Sequence, residues 1–407
     1  MSLPFNATGS PPSPVIAEDP SLVPGSLHWL ISKIPLVISL IVLLYYVVYM
    51  SVHVLAISYA YFKLHSWKPK HHLVKPDSLP GVTVIKPIIG VDRNMRDNLE
   101  SFFKLSYPKF ELFLCLAESK ATPPPSLPII EELRELYPHV PVQLFMGKGE
   151  RERERERERE SRCLSLSLFI QLPYVSPNSM ETFADFLDKV YFGTQHSRVY
   201  LWANLIRRNC ATGMSWVIKK SAIEQEGGIK VFSEYLAEDY FIGKALWTRG
   251  WTLALSSLPA LQNPGSRSLS LFKNRVIRWG RLRATMMPLP VLFEPFTECF
   301  VLGFVGSCVI HYLINSTPYQ HVLLVSGLHR FIFIFICHTL IWLLCDLLLI
   351  RVIENGPVTS LWKVLIVWIL RELWALPLFI TSSCSREITW RGVRFQLHFG
   401  GKATKID

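Results

Sequence analysis

The eight cysteines of this 407-residue chain form no Cys-x-x-Cys pair and follow no regular spacing. That excludes a cysteine-stapled framework, and Cys299, Cys308, Cys337 and Cys345, in or beside apolar runs, read as reduced or buried thiols. The Pro/Ser-rich tail before Lys33 lacks a basic region followed by a short apolar core and a small-residue cleavage site, so a cleaved signal peptide is not expected. Lysine is missing from Ile34 to Ala60, an apolar stretch long enough to cross a hydrocarbon core of roughly 30 Å. Lys33 precedes this stretch, whereas Lys63, Lys68, Lys70, His71, His72 and Lys75 follow it. The positive-inside bias therefore puts residues 1–33 in the lumen, 34–60 in the membrane and 61–290 in the cytosol. Asn6-Ala7-Thr8 is a glycosylation sequon on the lumenal tail.

Half of the residues are hydrophobic, and they gather in long runs as in a membrane protein. A second apolar block, 291–380, contains candidate segments near Phe300–Leu313, Phe331–Ile350 and Leu361–Ile380. The first is short enough to re-enter or lie at the interface. If all three cross, the basic tail 381–407 is lumenal, yet its Arg386, Arg391, Arg394 and Lys402 favour the cytosol. The net charge of +11 fits anionic lipid headgroups and an anionic ligand, and no nucleic acid is expected.

Between the apolar blocks, strand and helix alternate. Val82–Pro87 and Lys109–Leu116 read as strands, Asn94–Leu105 and Ile129–Leu136 as helices, the last introduced by a proline turn. The pattern predicts an α/β domain with a largely parallel sheet and ligands at the carboxyl ends of its strands. Low complexity interrupts it at 149–170, with Glu-Arg alternation from Gly149 to Glu160 and then a Leu-Ser near-repeat. Adjacent dipeptide repeats suggest translation of simple dinucleotide DNA, as from a retained intron, more than an ordinary charged loop.

Two motifs carry chemistry. Ala237-Glu238-Asp239-Tyr240-Phe241 offers a carboxylate that could serve as a general base or merely cap a helix. Arg275-Val276-Ile277-Arg278-Trp279 offers two guanidiniums and an indole, suited to a diphosphate leaving group or to a juxtamembrane aromatic belt.

Together with Leu79-Pro80-Gly81-Val82, Val84-Ile85-Lys86-Pro87, Gly90-Val91-Asp92, Asn98–Phe103, Leu172-Pro173-Tyr174-Val175, Val190–Thr194 and Thr212-Gly213-Met214-Ser215, these motifs resemble the family-2 glycosyltransferases, and within them the ceramide glucosyltransferases. The resemblance implies a GT-A-like nucleotide-sugar-binding fold, UDP-glucose as donor, ceramide as lipid acceptor, a divalent cation (Mg or Mn) and a Golgi membrane location facing the cytosol. It implies Asp239 as catalytic base, Lys86, Asp92, Glu118, Arg275, Arg278 and Trp279 as donor-binding residues, and His196, Cys210 and Glu238 in the substrate region. Glu118 stands where an aspartate is usual. The second acidic, metal-holding motif has no counterpart, its place being taken by the Glu-Arg run, so the metal ligands are unknown and an inactive splice product or pseudoenzyme is the competing expectation. A transferase with a polyprenyl phosphate acceptor is the alternative within the enzyme class.

Overall fold

The structure, a computed structural model, describes residues 27–66, 79–88, 90–116, 124–146, 168–177, 180–208, 211–263, 265, 268–316, 327–390 and 392–406. The Glu-Arg run, Glu118 and Cys210 lie outside the described residues. Two compact units emerge, Met1–Tyr49 with Gly303–Ile336, and Met50–Leu302 with Cys337–Asp407.

Helix α1 (Leu27–Tyr61) contains the expected 34–60 segment. Its last turns bury Val52, Ala56 and Ala60, spaced four apart as one face of a helix, while Val54 and Leu55 stay exposed. There follow β1 (Val82–Ile88), α2 (Met95–Phe103), β2 (Phe110–Leu116), α3 (Leu127–Leu136) and β3 (Val142–Met146). The three strands form a parallel sheet with β2 in the middle, in register at Val84, Leu112 and Val142. Leu112, Leu114 and Leu116 of β2 meet Leu99 and Phe103 of α2 and Ile130 and Leu133 of α3, all buried. Burial of that strand on both faces explains its nearly continuous apolar sequence. Here the predicted α/β pattern holds, with strand and helix ends within two residues of the expected ones.

Beyond the repeat come β4 (Leu168–Ile170), β5 (Pro173–Val175), α4 (Phe183–Tyr191), α5 (Ser197–Leu205), β6 (Trp216–Val217), α6 (Lys220–Glu224), α7 (Glu238–Thr248), β7 (Leu253–Leu255), β8 (Ala260–Gln262) and α8 (Leu269–Met286). Thr182 and Asp185 form a reciprocal capping box that starts α4, and a π-helical turn, Phe192–His196, joins α4 to α5. Pairing is mixed in this region: β4 runs parallel to β7 but antiparallel to β6, and β5 pairs with β8.

The remaining elements are α9 (Pro288–Leu292), α10 (Cys299–Asn315), α11 (Gly327–Glu354), α12 (Leu361–Ser383), β9 (Glu387–Trp390), β10 (Val393–Leu397) and β11 (Ala403–Ile406). Among the described residues, three helices are long and apolar enough to cross a membrane: Leu30–His65, Gly327–Glu354 and Leu361–Ser383; α10, at 17 residues, is shorter. Helix α12 packs along α4 and α8. Near its start Lys363 Nζ lies 5.1 Å from the Phe186 ring, and near its end Ser382 abuts Gly280. Buried ion pairs hold α4 and α5 to α11: Lys189 to Glu354 at 2.7 Å, and Arg198 to Asp346 at 2.9 Å. Asp346 also accepts from Trp368 Nε1 at 2.9 Å, so the carboxylate is satisfied inside the packing.

The segment 381–407, expected as a basic tail, contains an antiparallel sheet of order β11-β10-β9. Its Val393, Phe395 and Leu397 alternate with polar residues and Gly400 and Gly401 have positive φ, a period-two signal that charge counting overlooked.

Candidate active site

Helix α7 begins at Glu238, and the Ala237 before it supplies no side-chain cap. Glu238 is exposed, whereas Asp239 turns inward. Asp239 Oδ2 accepts the Gly213 N–H at 2.5 Å and Oδ1 accepts the Tyr240 N–H at 2.8 Å. A Cβ at Gly213 would sit 3.4 Å from that Oδ2, which is why glycine suits so close an approach. The contact to Gly213 crosses between chain segments, and simple helix capping does not account for it. Among the described residues no Lys or Arg pairs with Asp239. Burial raises its pKa above the usual carboxylate range, while the amide hydrogen bonds oppose the rise without cancelling it.

Helix α8 is started by Ser268, whose hydroxyl accepts the Leu271 N–H at 3.3 Å. Arg275 pairs with Asp188, a carboxylate with no exposed side-chain surface. The guanidinium lies 5.4 Å from the Phe192 ring and 5.2 Å from the Trp279 ring. Burial, and then the charge of Arg278, lower the Arg275 pKa to about 10, so it remains a cation. Its Nε is buried with no hydrogen-bond partner among the described residues. Arg278 is half-buried, with its pKa lowered by burial, and among the described residues it makes no hydrogen bond or ion pair. The motif thus has one tethered and one uncommitted guanidinium.

The two motifs meet on the C-terminal sheet. Leu282 of α8 packs with Ile388 and Leu397, and around them gather Leu236, Ala237, Trp279 and Ala403. Ala403 N–H donates to the Glu234 carbonyl at 3.2 Å, and Tyr235 bridges to Lys402. Gly401 has φ +85°, and a Cβ there would fall 2.5 Å from Phe241. Residues 387–406 therefore support the segment carrying Asp239, a role the sequence reading missed.

Lys86 lies two residues before the end of β1, with Nζ 5.1 Å from the Phe102 ring; burial lowers its pKa and Asp92 partly opposes that. Asp92 is exposed, and its Oδ1 accepts the Asn94 N–H at 2.9 Å in a turn. Asn263 ties this loop to the approach of α8: Asn94 Nδ2 donates to its Oδ1 at 3.0 Å and Asn98 Nδ2 to its carbonyl at 2.9 Å. Gly265 lies directly against Asp92. The loop after β1 and the chain entering α8 are thus held side by side.

His196 stacks on Tyr200 at 5.5 Å and contacts Phe192 at 5.0 Å. Burial first, and Arg283 second, lower its pKa to about 4, so it is neutral near pH 7. Through Phe192 and Tyr191, which also pack on Trp279, it backs the aromatic wall behind Arg275. Among the described residues no three His, Cys, Asp or Glu side chains converge as a metal site. The divalent cation implied by the resemblance therefore has no ligand set among the described residues.

The profile of glycosyl transferase family 21 matches residues 48–153 and 164–403. The chain belongs to glycosyl transferase family 21. The family-2 resemblance of the motifs thereby acquires a definite family, and the match passes over 154–163, inside the anomalous stretch. Relatives of this family-21 chain include the proteins named ceramide glucosyltransferase 3 and ceramide glucosyltransferase 1 of Caenorhabditis elegans. The first is 34% identical over 86% of this chain and 79% of its own length, the second 32% identical over 86% and 78%. The ceramide glucosyltransferase of Komagataella phaffii is 22% identical over 91% of this chain and 92% of its own length. A mannosyltransferase of Pyrobaculum calidifontis, solved with GDP-Man and Mn2+, covers 84% of this chain and 98% of its own at 12% identity and TM-score 0.35, a likeness that carries no argument about function.

Proposed function

We propose that this family-21 chain transfers glucose from UDP-glucose to the primary hydroxyl of ceramide with inversion, on a GT-A-like domain facing the cytosol at the Golgi membrane. The observation that carries the reading is Asp239, a carboxylate with a raised pKa held by backbone amides alone, on a segment packed against the Arg275–Trp279 helix. The hydroxyl oxygen attacks the anomeric carbon, its proton passes to an Asp239 carboxylate oxygen, and the bond to UDP breaks with its electron pair. Arg278, uncommitted among the described residues, neutralises the departing diphosphate, while Arg275 adds positive charge from its fixed position.

The C-terminal sheet packs on the same unit as α7 and α8, so the chain after α8 crosses the membrane an even number of times. This agrees with the basic character of 381–407 and supports a cytosolic side for that segment. The full-length chain with a tag after Asp407, in sealed microsomes, should lose the tag to added protease; a protected tag overturns this topology.

The Glu-Arg run favours a second reading, a splice product or pseudoenzyme. We propose that the native transcript encodes a conventional acidic segment there, because matched sequence resumes on both sides of it. Purified chain as written should make little glucosylceramide with any divalent metal, and a chain with that stretch replaced by the corresponding nematode segment should be active. Robust activity of the unaltered chain, or a full-length cDNA that reproduces the run, overturns the proposal about the run. Inactivity of the repaired chain with UDP-glucose and ceramide overturns the transfer reading.

A further inference from the structure

On α8 the residues Phe272, Val276, Gly280 and Arg283 follow at intervals of four, four and three, one stripe of a helix surface beside the stripe of Arg275 and Trp279. This second stripe faces α12 across a cleft. The far wall is apolar, formed by Trp374, Ala375, Leu378 and Phe379. At its edge Leu376 lines the cleft and is also 39% exposed, on a flank of α12 where Leu370, Leu373 and Ile380 are exposed too. The cleft therefore opens sideways toward whatever apolar medium covers α12.

Its other end is polar. Arg371 donates to Glu298 at 2.8 Å and to Gln195 at 2.6 Å, and also pairs with Glu372; Gln195 in turn donates to Glu298. Arg283 pairs with Glu294 at 2.5 Å. Each guanidinium is thus already neutralised by a carboxylate. An anionic phosphate headgroup would find no uncommitted cation among these lining residues, whose two guanidiniums are matched by the Glu294 and Glu298 carboxylates. A neutral head bearing hydroxyls and an amide would instead find carboxylate lone pairs and a primary amide as partners. Tyr191 lines the cleft and packs on Trp279 at 6.1 Å, which puts this polar end beside the donor motif.

We infer that the α8–α12 cleft is the acceptor site: it takes a neutral, amide-bearing long-chain lipid laterally, with the chain along Trp374–Phe379 and the head at Gln195, Glu294 and Glu298. The inference rests on the transfer reading for the acceptor's chemical class and adds where and how that class is recognised.

The test uses the full chain in lipid nanodiscs with a ceramide carrying a diazirine in its acyl chain, irradiated and mapped by mass spectrometry. Labels should fall within 272–283 and 374–382 and be displaced by unlabelled ceramide but not by phosphatidic acid or sphingosine. Ala375→Trp, which fills the cleft from α12, should lower labelling on the order of tenfold while UDP binding is unchanged. Leu378→Trp, a second substitution filling it from α12, gives the same outcome if the first variant fails to fold. Labelling concentrated elsewhere, equal displacement by phosphatidic acid or sphingosine, or full labelling in a folded variant overturns the site. In the chain with the repaired segment, labelled cleft without glucosylated product leaves the site standing and sinks the transfer reading. Product formation with an unchanged ceramide KM in Ala375→Trp does the reverse.

Discussion

Two inward-facing aspartates support the α8 motif in opposite ways. Asp188, on α4, has no exposed side-chain surface and is paired with Arg275. Asp239, at the start of α7, is held by the amides of Gly213 and Tyr240 and has no cationic partner among the described residues. A carboxylate locked to a guanidinium is a poor proton acceptor, because taking a proton would leave a buried cation unpaired. One held by neutral dipoles gives up less when protonated. On the proposed reading the same side chain serves as an anchor in one place and as a base in the other, and the partner decides which.

The sharpest way to break this contrast is Asp239→Asn in the chain with the repaired segment. Turnover should fall by a factor on the order of 10² to 10⁴ with UDP affinity kept, the usual worth of a positioned base. Normal turnover would transfer the base role elsewhere. In the unsubstituted enzyme the pH profile carries the same signature. The active form is deprotonated and its pKa is raised by burial, so kcat/KM should decline as pH falls, and should begin to do so at a higher pH than an exposed aspartate would dictate. A profile flat through that fall in pH removes Asp239 from the reaction.

Asp188→Ala attacks the anchor and should show first in stability. Orphaning a buried ion-pair partner costs about 3–5 kcal/mol, and the 16% exposure of the Arg275 side chain puts the expected loss at the lower end. Thermal unfolding in detergent measures it; an unchanged midpoint would mean that the pair contributes nothing. Arg278→Ala tests the other half of the motif, weakening UDP binding by roughly 10- to 100-fold, the range of about 1.5–3 kcal/mol for charge-assisted hydrogen bonds. Calorimetric UDP affinity equal to the parent's would show that Arg278 does not reach the diphosphate. Gly401→Ala, where the added methyl meets Phe241 and φ is +85°, should cost about 1–3 kcal/mol and lower turnover through the Asp239 segment. Loss of stability at full kcat would separate the C-terminal sheet from the site.

Much was legible beforehand because it depends on local pattern. The apolar β2 strand, the helical spacing of Leu99 and Phe103 and the proline turn before α3 define β1 through β3 without distant contacts. Asp239, Arg275, Arg278 and Trp279 were recognisable as short words in order, and each sits where local helix formation puts it, at the start of α7 or along α8. His196 was visible as a motif residue, but its neutral state in an aromatic cluster was not, since Tyr191, Phe192, Tyr200 and Arg283 enclose it only after folding.

By itself the amino-acid sequence determined the apolar segments, the βα alternation, the two motifs and the family, because hydrophobic period, turn residues and motif spacing are properties of neighbours along the chain. Only the tertiary structure decided which aspartate is paired and which is not, that α12 lies along α4 and α8, and that 387–406 supports the Asp239 segment. Those outcomes depend on burial and charge contacts between residues far apart in the chain, where a carboxylate's role is set by what packs against it and not by what flanks it.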